Sequence, residues 1–76
     1  MNEKEKLLAI LRDICPDAEI DESSALIDDG ILESLDLVAL VTELMAEFQV
    51  EIGVDDLLPE NFNTVDDILR LIHSGR

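Results

Sequence analysis

A chain of 76 residues makes one small domain that buries about 60% of its unfolded surface, which leaves little room for a deep active-site cavity and argues against a self-sufficient enzyme. Hydrophobic residues make up 47% and charged residues 32%, enough core-forming material to exclude intrinsic disorder. The formal net charge of −14, from 19 acidic and 5 basic residues, repels phosphate backbones and anionic lipid and points to partners with basic surfaces.

The basic residues Lys4, Lys6, Arg12, Arg70 and Arg76 all stand near the two ends, and residues 13–69 carry 17 acids and no base. Cys15, the single cysteine, has no partner for an intramolecular disulfide or a CxxC motif. No unbroken apolar run exceeds the five residues Leu37 to Val41, so no membrane insertion is expected. The opening "MNEKEKLLAILRDIC" has none of the marks of a secretory leader, and a cytoplasmic, monomeric protein is expected.

Residues 3–15 read as a first helix. Leu7, Ile10, Leu11 and Ile14 keep the spacing of a buried stripe, Asn2 with Glu5 resembles a capping box, and Pro16 marks the end. Residues 16–33 mix Asp, Glu, Ser and Gly with isolated Ala25, Leu26, Ile27, Ile31 and Leu32, the pattern of a long loop pinned to the core by aliphatic side chains. A loop that long in so small a domain is usually functional.

A second helix runs from Ser34 to Phe48, with Leu37, Leu40, Val41, Leu44 and Phe48 on its buried stripe and Glu43 and Glu47 on an exposed face. Gly53 and Pro59 then bracket "DDLL", enough for a helical turn at most. Thr64, three before Asp67, caps a last helix whose stripe is Val65, Ile68, Leu69 and Ile72. The fold class is all-α: residues 1–76 form a single small bundle of three main helices plus one short helix, with a long first loop.

Most of the chemistry-bearing residues have plain structural readings. His73, the only imidazole, suits the dipole of a last helical turn; Cys15 reads as a small apolar filler; Met45 and Phe48 read as packing residues, with Met45 at the edge of a partner face. A calcium loop with Gly30 at its sixth position puts Ala25 first, Ile27 third and Asp36 twelfth, so two ligands are apolar and the terminal glutamate is missing. No metal site is expected beyond weak, nonspecific cation binding. Ser34 lacks a nearby base for catalysis, but it stands at a helix start, where a serine caps free N–H groups and an attached phosphate is held favourably.

The stretch "DDGILESLDLVALVTELMAEFQVEI" resembles the acyl carrier protein family, whose signature is Asp-Ser-Leu at the start of the second helix after an acidic-glycine loop. The resemblance covers nearly the whole chain, and "DGILES" and "TELMAEFQVEI" look closest to D-alanyl carrier proteins and to stand-alone carriers of specialised pathways. It implies a non-enzymatic carrier with 4′-phosphopantetheine attached to Ser34 by a separate Mg²⁺-dependent transferase. Acyl or aminoacyl groups would then travel as thioesters on the arm. The implied partners are a phosphopantetheinyl transferase, an acyl- or aminoacyl-loading ligase, and downstream transferases or synthases with basic surfaces. The implied recognition patch is Glu33, Leu35, Asp36, Val38, Ala39, Thr42, Glu43 and Met45.

Three departures stand out. Glu33 replaces the usual aspartate before the serine; Ala39, Thr42, Met45 and Ala46 occupy positions where fatty-acid carriers often show acids or a methionine; and Gly53 replaces a common proline. Together they favour a dedicated partner set over a housekeeping fatty-acid carrier. The rival reading is an acidic helical docking module without covalent modification, and a divalent-cation buffer is a third.

So much unscreened acid opposes compaction. The melting temperature is expected to rise with added NaCl or MgCl₂ at neutral pH; thermal melts that are indifferent to both would refute self-repulsion as a determinant of stability.

Overall fold

The computed structural model describes residues 2–75, so Arg76, one of the five basic residues, lies outside the described residues. Helix α1 spans Glu3–Ile14, α2 Ser34–Phe48, α3 Pro59–Phe62 and α4 Val65–Ser74, with a single 3₁₀ turn at Val54–Asp56. The described residues contain no strand. Helix α1 packs against both α2 and α4, and α3 packs against α4.

Helices α1 and α4 each start where a side chain satisfies free N–H groups. The Asn2 Oδ1 accepts from Glu5 N–H at 2.8 Å, and the Thr64 Oγ1 accepts from Asp67 N–H at 3.0 Å. Acidic residues fill the first turns of α1 and α4, and Arg12 and His73 stand in the last turns, which complements both helix dipoles. Helix α1 ends at Cys15, because the residue before Pro16 is pushed out of helical conformation. At the end of α2, Gln49 takes the left-handed conformation (φ 54°), turning the chain so that Val50 re-enters the core.

The apolar spacing becomes a shared core. Leu7 and Leu11 of α1, Leu40 and Leu44 of α2, Phe62 of α3, and Val65, Ile68 and Ile72 of α4 are fully buried. Each fully buried side chain of this size contributes about 1.5–3 kcal/mol of transfer free energy. The surface ion pairs Lys4 with Glu22 and Asp66, and Lys6 with Glu47, are long at 3.6–3.8 Å and exposed to solvent. Such pairs contribute about 0–1 kcal/mol each, so packing decides the fold and the lysines moderate its charge.

The expected single helical turn at "DDLL" is instead two short elements. The 3₁₀ turn begins at Val54 because the Asp56 carboxylate reaches back to Gly53 N–H at 3.1 Å. Pro59 opens α3 rather than breaking a helix, since its fixed φ and missing N–H suit a first helical position.

The long connection is ordered by side chains sent into the core and by polar anchors along its length. Ile20, Leu26 and Leu32 are buried. The Arg12 guanidinium donates to Ile20 C=O (3.0 and 3.3 Å), and Asp21 gathers the backbone N–H and hydroxyl of Ser23 and the hydroxyl of Ser24. The main anchor is Asn63. Its Oδ1 accepts from Ile27 N–H and Asp28 N–H at 3.0 Å each, its Nδ2 donates to Asp28 Oδ2 at 3.2 Å, and its C=O accepts from Leu26 N–H. Gly30 (φ 71°) then turns the chain back so that Leu32 N–H reaches Leu26 C=O.

Asn63→Ala removes the acceptor of two loop N–H groups at once. We expect a loss of about 1–3 kcal/mol in urea unfolding, together with faster amide exchange at Ile27 and Asp28; unchanged stability would show that water replaces the anchor without penalty.

Candidate functional site

Leu32, inserted in the core, fixes the end of the loop one residue before the chain emerges at Glu33 and Ser34. Glu33 is the extended N-cap (φ −104°, ψ 176°) and Ser34 is the first helical residue. This corrects the reading of Ser34 as a cap: the capping position belongs to Glu33, whose C=O accepts the first helical bond from Leu37 N–H at 2.9 Å. Glu33 N–H in turn donates to the Asp36 carboxylate at 3.1 Å.

Ser34 is exposed, and its hydroxyl has no partner among the described residues. The other serines differ. Ser23 and Ser24 are tied to Asp21, and the Ser74 hydroxyl donates to Leu71 C=O at 3.1 Å. His73 does not serve Ser34 either, because its Nε2 engages Glu3 Oε1 at 2.9 Å, joining the end of α4 to the start of α1. Chemistry at Ser34 therefore needs a base brought by another molecule.

The face of α2 that follows Ser34 is apolar and open. Leu35 is 84% exposed, Val38 62% and Met45 37%, with Ala39, Ala46 and Thr42 beside them and Glu33, Glu43 and Glu47 on the margins. Thr42 returns its hydroxyl to Val38 C=O at 3.0 Å, so it adds little free polarity to that face. Large apolar side chains left in water along one helix face mark an interaction surface. Of the sequence-derived recognition residues, Glu33, Leu35, Val38, Ala39, Thr42, Glu43 and Met45 are exposed, and Asp36 is half-buried. Phe48 packs into the core, as its spacing suggested.

Behind the serine, a shallow groove of about 390 Å³ runs between the end of α1, the loop and the start of α2, lined by Cys15, Ala18, Ile31 and Asp36 among others. The Cys15 thiol donates to Ile31 C=O at 3.5 Å. Burial pushes its pKa up, and the Asp36 and Glu33 carboxylates push it further the same way. Its closeness to Ile31, Glu33 and Asp36 comes from the tertiary fold, and no spacing in the sequence could reveal it.

Residues 5–72 match the family described as phosphopantetheine attachment site. The chain belongs to that family. This carrier domain is 25% identical to a D-alanyl carrier protein of Bacillus mycoides (strain KBAB4) over 75 residues, 96% of this chain and 95% of that protein. It is 43% identical to an acyl carrier protein of Thermotoga maritima over 56 residues, 74% of this chain and 67% of that protein. Family membership makes the protein a non-catalytic carrier that bears 4′-phosphopantetheine on a serine and holds its cargo as a thioester. Phosphopantetheinyl transferase and biosynthetic enzymes are the partners of such carriers.

The Cys15 thiol of this carrier stays protonated at neutral pH. Its raised folded-state pKa gives a stability contribution fully present below the unfolded-state thiol pKa and lost as alkaline pH rises through the folded one. Iodoacetamide is expected to alkylate it several-fold more slowly than a solvent-exposed peptide cysteine at pH 7.5, as read by intact mass; equal rates would contradict the shielded environment.

Proposed function

We propose that Ser34 is the serine that carries the 4′-phosphopantetheine arm, that residues 1–76 act as one carrier unit, and that the carrier serves a specialised pathway with acyl or aminoacyl cargo. The observation that carries the assignment is the contrast among the four serines: Ser34 alone combines exposure, an unpartnered hydroxyl and a place as the first residue of a helix. The hydroxyls of Ser23, Ser24 and Ser74 are engaged, and Ser74 falls beyond the matched residues 5–72.

The surroundings fit a covalently held phosphate better than a bound one. Free N–H groups and the dipole at the first turn of α2 favour an anion, while Glu33 and Asp36 oppose it. At an exposed site both effects are within about 1 kcal/mol, so neither makes a binding site and the phosphodiester bond itself retains the group. When bound, the arm supplies a terminal thiol that takes up cargo as a thioester. The chain's own residues hold the hydroxyl outward at a fixed helix end and display the docking face. The transferase brings metal and base, which agrees with a serine that has no base of its own.

We place partner recognition on Glu33, Leu35, Val38, Ala39, Thr42, Glu43 and Met45, with Asp36 behind them. The apolar strip would supply contact area, and the flanking carboxylates would steer basic enzyme surfaces toward it. The small and neutral residues Ala39, Thr42 and Ala46 make this face less acidic than the fatty-acid-carrier pattern, which supports a dedicated set of partners. The carrier names of its two relatives, one acyl and one D-alanyl, agree with acyl or aminoacyl cargo.

Incubation with coenzyme A, Mg²⁺ and a broad-specificity phosphopantetheinyl transferase is expected to add one phosphopantetheine to the parent and none to Ser34→Ala, as read by intact mass. Because the Ser34 hydroxyl makes no bond in the fold, the variant should stay within about 0.5 kcal/mol of the parent in stability. Modification of Ser34→Ala, or an unmodified parent across several transferases, would overturn the assignment.

A further inference from the structure

The geometry points to Asp36 as a positioning residue for the modification of Ser34: its carboxylate holds Glu33 N–H and fixes the first turn of α2, instead of meeting partners as a docking charge. This rests on the reading of Ser34 as the attachment site.

Three observations carry it. Glu33, Ser34 and Leu35 are exposed, whereas Asp36 is half-buried and lines the groove shared with Cys15, Ala18 and Ile31, behind the apolar strip of α2. Its Oδ2 accepts from Glu33 N–H at 3.1 Å, three residues back, the reach-back bond of a capping box. Asp56 makes the same bond to Gly53 N–H, also at 3.1 Å, at the start of the 3₁₀ turn, where no attachment serine follows. The device in this chain is therefore a way of starting a helical turn.

At α2 it has a chemical consequence. Glutamate is not among the residues that cap well, so the extended Glu33 depends on its N3 partner to hold the turn. With that bond in place, Ser34 is the first residue of a formed helix and its hydroxyl points from a rigid base. Without it the turn frays and the hydroxyl samples many directions. Attack on a phosphoryl group needs an aligned nucleophile, and a misplacement of about 1 Å costs as much as 100-fold in rate.

Asp36→Asn keeps an acceptor oxygen in place and removes the charge; Asp36→Ala removes both. With coenzyme A, Mg²⁺ and a broad-specificity phosphopantetheinyl transferase, we expect Asp36→Asn within about twofold of the parent in kcat and KM. Asp36→Ala should fall about tenfold in kcat with little change in KM, and the Glu33 amide should exchange faster by NMR in Asp36→Ala alone. A rise in KM in Asp36→Asn with the Glu33 amide still protected would overturn the proposal in favour of a docking charge, as would a parent-like kcat in Asp36→Ala. If Asp36→Ala does not fold at the assay temperature, the comparison of Asp36→Asn with the parent still decides between acceptor and charge. A parent that is never modified would remove the reading of Ser34 itself, whereas a modified parent with a charge-sensitive KM would remove only this proposal.

Discussion

The loop that leads into Ser34 is held to the rest of the bundle chiefly by one amide side chain. Asn63, between α3 and α4, takes two backbone N–H groups of the long connection on its Oδ1 and steadies Asp28 with its Nδ2. Those contacts set Leu26 and Ile27 against the core, the Gly30 turn follows, and Leu32 re-enters the core immediately before Glu33. Without such pinning, an acidic loop would gain more from hydration and chain entropy than from its few apolar anchors. Ser34 is thus positioned from α3 and α4, far along the chain, as much as by its own helix.

Charge imposes the second constraint. The described cations all lie on α1 and α4, and Lys4 reaches both the loop at Glu22 and α4 at Asp66, while Lys6 reaches α2 at Glu47. Exposed pairs of this length add little stability. They keep positive charge on the α1 side of the described residues, and α2 itself contains no basic residue. The same imbalance that opposes compaction gives the chain a negative field that attracts any basic surface at long range.

The main helices were legible in the sequence because their apolar residues follow a 3.6-residue period and their caps sit at regular spacings, as with Thr64 and Asp67 or Asn2 and Glu5. Phe48 on the buried stripe and Ser34 at the start of α2 were readable for the same reason. Pro59 was misleading, since proline signals both a break and a first helical position, and only the following packing of Phe62 separates the two. The Ser34 cap was misassigned by one residue because serine is a preferred cap and glutamate is not, whereas Asp36 at N3 favours the start one residue earlier. Asn63 and Cys15 were opaque: their partners lie 35 or 36 residues away in one case and 16 in the other. Contacts at that separation leave no local pattern.

The arrangement separates holding from reaching. The core of this small bundle is filled by side chains, and among the described residues the Ser34 hydroxyl has no hydrogen-bond partner. With Ser34 as the proposed attachment point, the fold offers a helical origin, so that the distance explored by a tethered group is set by the tether. The exposed Leu35 and Val38 beside that origin are costly in water, which is the physical ground for proposing that partner enzymes cover them. In the proposed docking role, a few apolar side chains suit release as well as contact, because a carrier that bound any one partner tightly would stop delivering to the next.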